Sequence, residues 1–104
     1  MKEGGDAMPE KALLGFGERL GVVDVRYLVN KSKEMKAGLV AAFYKVAPTE
    51  AILKMAKEGN VELIQSDEPA KAAETKSGEL KKKGYSVFVR DLAEVRDMMR
   101  DAGC

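Results

Sequence analysis

Three short apolar runs, at 39–46, 61–65 and 85–89, are each followed within a few residues by a helix-start signal. This spacing constrains the fold more than any other feature of the chain. Pro48-Thr49-Glu50, Ser66-Asp67-Glu68-Pro69 and the pair Asp91 and Glu94 supply the proline, acid and capping residues that favour a first helical turn. Helical patterns follow each signal. Ile52, Leu53 and Ala56 share a face before Gly59, and Ala70, Ala73 and Leu80 lie along a segment spanning 68–83 before Gly84. Leu92, Val95, Met98, Met99 and Ala102 form a last stripe, closed by Gly103. Alternation with short connections predicts a mostly parallel sheet covered by helices. Val61–Gln65 and Tyr85–Val89 are expected side by side, pointing the same way.

The upstream third reads differently. Pro9 with Glu10 looks like a first helical turn; Ala12, Leu13, Phe16 and Leu20 share a helical face, and Gly21 would end it. Gly15 and Gly17 weaken such a helix by about 1 kcal/mol each. Val22–Val29 alternates: Val23, Val25, Tyr27 and Val29 against Val22, Asp24, Arg26 and Leu28. A charge pair in mid-strand argues against a doubly covered position, so this first strand belongs at an edge, in a direction the pattern leaves open. The run 39–46 has two readings. Met35, Leu39, Val40, Phe43 and Tyr44 keep helical spacing, but Gly38 interrupts it and the strand reading is favoured. The fold class is therefore α/β, with three or four strands, about four helices and the first strand at an edge. Residues 1–7 are polar and glycine-rich and form an expected disordered tail, leaving 8–104 as one domain.

Composition narrows the function classes. Eighteen basic and 17 acidic residues give a net charge of +1, whereas a general polyanion binder carries a large positive excess, so nucleic acid gains no support. Lys81-Lys82-Lys83 reads as the solvated end of a helix, where cations complement the dipole. There is no histidine, which removes the commonest general base and metal ligand. The single cysteine, Cys104, cannot make an internal disulfide. No apolar run approaches a membrane span, and no signal-peptide core is visible. The expectation is a cytoplasmic protein without a cofactor or metal.

In open α/β sheets, ligands bind beyond the carboxyl ends of the strands. Thr49, Ser66, Asp67, Arg90 and Asp91 follow the strands read here and are the candidate binding residues. Thr49, Ser66, Asp67 and Asp91 are also ordinary helix caps, so Arg90 stands out as the anion-binding candidate. Gly15-Phe16-Gly17-Glu18-Arg19-Leu20-Gly21 echoes a nucleotide-binding loop, but a loop placed before the first strand has the wrong mechanical context. Asp24, Glu34 and Lys36 echo a nuclease-type metal site, yet Glu34 and Lys36 sit in a lysine-rich polar stretch. Lys45 reads as an edge lysine or a desolvated amine. Met98-Met99 reads as core filling or as an adaptable partner surface. The leading expectation is a self-associating, homodimeric, non-catalytic binding or regulatory module whose ligand the sequence leaves open, a small anion being one candidate. The alternative is a small enzyme acting on a phosphorylated or nucleotide metabolite, with Asp67 and Asp91 as acid and base and Arg90 holding charge.

Overall fold

The computed structural model describes residues 10–103, with side chains through Met98. The expected tail, the Pro9 helix start, the packing of Met99 and Ala102, and Cys104 all lie outside that description. The chain runs β1 (Lys11–Gly17), α1 (Val22–Met35), β2 (Leu39–Tyr44), α2 (Glu50–Glu58), β3 (Glu62–Gln65), α3 (Pro69–Lys82), β4 (Ser86–Asp91) and α4 (Leu92–Gly103). The four strands form one parallel sheet in the order β3-β2-β1-β4. The α/β class and the parallel sheet stand as expected, and the ambiguous segment is strand.

Two upstream expectations are overturned together: 11–17 is a strand, and Val22–Val29 lies in a helix. β1 is a central strand whose Ala12, Leu13 and Leu14 are fully buried. A strand covered on both faces loses its polar alternation, so a near-continuous apolar run passes for a helix face. Gly15 has a packing role there. A Cβ at Gly15 would meet the Leu92 side chain at 3.0 Å and the Leu28 side chain at 3.1 Å, so even alanine would push these leucines of α4 and α1 back by a few tenths of an ångström. The valines of α1 mimic a strand because β-branched residues favour one. Its buried residues are Asp24, Val25, Leu28 and Ser32, a helical spacing, while Val22 and Val23 are each 44% exposed. The first strand is therefore central, and no strand occupies Val22–Val29.

Strand alternation divides the core between two faces. Leu13, Val40 and Ala42 pack beneath α1, α2 and α4 with Val25, Leu28, Ile52, Ala56 and Leu92. Ala12, Leu14, Ala41 and Phe43 pack beneath α3 with Ala73 and Leu80. The crossovers from β1 to β2 and from β2 to β3 step one way along the sheet. The β3-to-β4 connection steps back past both, and a right-handed crossover in the reverse direction must pass over the other face. Val61–Gln65 and Tyr85–Val89 are thus parallel, but β3 and β4 form the two opposite edges instead of lying side by side. Two inward assignments also change: Leu53 is 44% exposed, and Ala70 is exposed on the first turn of α3.

Candidate functional site

At the carboxyl edge of the sheet, the chains leaving β1, β2 and β4 turn toward one face, and the chain leaving β3 turns toward the other. The divergence opens a cleft, the place where a sheet of this type holds a ligand. One part, of about 280 Å³, is lined by Phe16, Gly17, Glu18, Lys45, Asp67, Pro69, Ala70, Asp91 and Ala93. An adjoining part of about 200 Å³ shares Gly17, Glu18 and Ala93 and adds Arg19 and Arg96.

The candidate residues separate in this geometry. Asp67 and Asp91 line the larger part together, even though they follow opposite edge strands; Asp67 lies in the loop between β3 and α3, just before the cap residue Glu68. Asp91 also caps α4, with Oδ1 accepting from Ala93 N–H at 3.0 Å. Thr49 is the cap of α2: its Oγ1 accepts from Ile52 N–H at 3.4 Å. Ser66 Oγ accepts from Glu68 N–H at 3.1 Å, a turn just before α3, and the residue at the cap position is Glu68 rather than Ser66 or Asp67. Arg90 does not line the cleft parts described above. Alternation along β4 turns it to the face opposite Asp91, and its Nη1 donates to the carbonyl of Val89 at 3.0 Å. Lys45 is exposed, so it is no desolvated amine, while its backbone N–H and that of Val46 both donate to the carbonyl of Glu18. Those bonds tie the β2 exit to the β1 loop.

Arg96, which sequence reasoning missed, belongs to the site. Asp24 is the third residue of α1 and is only 1% exposed. Its Oδ2 accepts from Gly21 N–H at 2.7 Å and from Arg96 Nη2 at 2.6 Å, and its Oδ1 accepts from Arg96 Nε at 3.3 Å. Arg96 Nη2 also donates to the carbonyl of Arg19 at 3.3 Å. The hydrogen bond to Asp24, then its charge, hold the guanidinium above its ordinary pKa. The only sequence hint was a buried-type position, Asp24, that carries a charge and so demands a partner. That partner is 72 residues away and carries no local signal.

The glycine-rich loop does lie between a strand and a helix, which corrects the objection raised from the sequence. Its chemistry differs from a phosphate cradle, however. Gly21 N–H, at the start of α1, is taken by the Asp24 carboxylate. The Asp24, Glu34 and Lys36 trio does not converge either. Asp24 and Glu34 sit near opposite ends of α1, about 15 Å apart along a helix axis, and Glu34 pairs with Lys31 at 3.2 Å. Among the described residues no group of three acidic, histidine or cysteine side chains is placed to hold a metal ion. No protein-family model, curated protein or solved structure matches this chain. The site therefore speaks through its geometry alone. No helix among the described residues is long and apolar enough to cross a membrane.

Proposed function

We propose that this protein is a non-catalytic binding module that seats one small molecule in the carboxyl-edge cleft. The observation that carries the reading is the convergence of Asp67, Asp91, Glu18 and Lys45 around a concavity walled by Phe16, Pro69, Ala70 and Ala93. Apolar walls with a few polar groups of fixed position are the ordinary composition of a ligand pocket. The carboxylates accept hydrogen bonds, and Lys45 donates them. Binding is favoured over nucleophilic catalysis because the residues lining the two parts include no serine, threonine, cysteine or histidine.

A thermal-shift panel of sugars, nucleosides, their phosphates and amino acids tests the reading. A ligand at one hundred times its dissociation constant stabilises the native state by about 2.7 kcal/mol. At least one class should raise the melting temperature, and Ala70→Trp, which fills the cleft from an exposed position, should abolish that rise. A rise that survives Ala70→Trp, or a panel without any rise, contradicts the site.

The enzyme reading has one observation in its favour: its two proposed acid–base groups, Asp67 and Asp91, share the cleft. Chemical conversion of a bound panel member, followed by NMR, would establish it. We also propose self-association. It is supported by two sheet edges, β3 and β4, that pair with no further strand among the described residues, and by exposed Val22, Val23 and Met98, the last at 61%. A monomer mass by light scattering at high concentration refutes it.

A further inference from the structure

We propose that Arg96 makes the cleft selective for phosphorylated polyols, with the phosphate at the Arg96 end and the hydroxyls at the Asp67 and Asp91 end. The proposal rests on the cleft being a ligand site and names its ligand class.

The two parts of the cleft differ in charge. Two cations, Arg19 and Arg96, line the smaller part, while two carboxylates, Asp67 and Asp91, and one cation, Lys45, line the larger one; the acidic Glu18, with Gly17 and Ala93, is shared, so the smaller part is the more positive. A ligand that spans both parts needs an anion at one end and hydrogen-bond donors at the other. Carboxylates accept the hydrogens of sugar hydroxyls, and guanidinium donates to phosphate oxygens. Phe16 and Pro69 supply an apolar wall for a sugar ring or a base.

Arg96 is fixed before any ligand arrives. Asp24, buried and held by Gly21 N–H, engages the Nε and Nη2 of Arg96. Nη1 makes no hydrogen bond among the described residues, and the side chain is 44% exposed. A guanidinium held in place loses little conformational entropy on binding, so its remaining N–H groups act as a prepaid anion donor. Asp24 is thus a positioning residue, and the buried ion pair has a use beyond tying α4 to α1.

Binding of ribose 5-phosphate and adenosine 5′-monophosphate is measured by calorimetry beside ribose, adenosine and inorganic phosphate. Removing the phosphate should weaken binding by about tenfold or more, the scale of one charge-assisted hydrogen bond. Arg96→Gln should erase that preference. Because Arg96→Gln strips a buried carboxylate of its partner, Ala93→Glu provides a second test that leaves the pair intact. Ala93 is exposed in the first turn of α4, where an acid is tolerated, and it lines both parts of the cleft. Ala93→Glu should lower affinity for the phosphorylated compounds by about tenfold relative to Ala93→Gln, while the two variants, matched in size, should bind ribose and adenosine equally to each other. Equal binding with and without phosphate, both abolished by Ala70→Trp, overturns the role of Arg96 while the cleft remains a site. A phosphate preference that persists in Ala93→Glu overturns it as well, and absence of any binding overturns both.

Discussion

Among the described residues, one face of the sheet carries α1, α2 and α4, and the other carries α3 alone. The crowded face buries Val25, Leu28, Ile52, Ala56 and Leu92 against the strands. Beneath α3, Leu39, Ile64, Val87 and Val89 are only partly buried, and the helix contributes small residues, Ala73 with Ala72, before Leu80. Most of the apolar stabilisation therefore lies on the crowded face. The sparse face keeps space beside the first turn of α3, and the cleft opens there. A fold with one helix on each end of that face would close it.

The largest test of this asymmetry is a pair of truncations. Leu28→Ala, on the crowded face, should cost about 2–5 kcal/mol by denaturant unfolding. Ile64→Ala, on the sparse face, removes a partly buried side chain that leaves less of a cavity, and should cost about 1 kcal/mol. Equal losses would mean that the two faces share the core evenly.

Next comes the polar tie between the crowded face and the cleft. Arg96→Ala leaves the Asp24 carboxylate buried with Gly21 N–H as its remaining donor, at a cost of about 1–3 kcal/mol. The guanidinium pKa is raised in the fold, so its stabilisation is complete at lower pH and is lost only as pH climbs through the guanidinium range. The difference between wild type and Arg96→Ala attributable to that group should stay constant from about pH 6 to 10. A difference that changes across that range would assign it to another titrating group.

The sparse face should also yield a gain. A Cβ at Gly78, inside α3, meets nothing within 4 Å, so Gly78→Ala should stabilise the protein by about 0.5–1 kcal/mol. A loss would show that α3 packs more tightly than described. The smallest effect is at Met98, which is 61% exposed and contributes little to the core. Met98→Ser should shift stability by less than about 0.5 kcal/mol.

The downstream two-thirds of the fold was legible because each element there carried its own punctuation. Thr49 caps α2, Gly84 adopts a positive φ of 97° just after α3, and Asp91 caps α4. The upstream third was misread because its central strand is apolar on both faces and its first helix is rich in valine. In both places tertiary packing decided against local propensity. The misreading had a consequence for the site. With 11–17 taken as a helix, the loop from Gly17 to Gly21 could not be placed at the end of a strand. Of the candidate residues, Asp67 and Asp91 were legible because helix starts cluster at the carboxyl edge. Arg96 was not, because its partner Asp24 is adjacent only in space. Arg90 stands out in the sequence because capping does not explain it, but strand alternation turns it away from the cleft.

The central claim is that the carboxyl-edge cleft is where this protein meets a ligand. Backbone amide NMR during titration with adenosine 5′-monophosphate tests it most directly. Progressive shifts are expected at Gly17, Glu18, Asp67, Ala93 and Arg96, while a second groove, between α1 and α2 and lined by Asn30, Met55 and Gly59, should stay unchanged. Shifts confined to that groove, or none at saturating ligand, would contradict it.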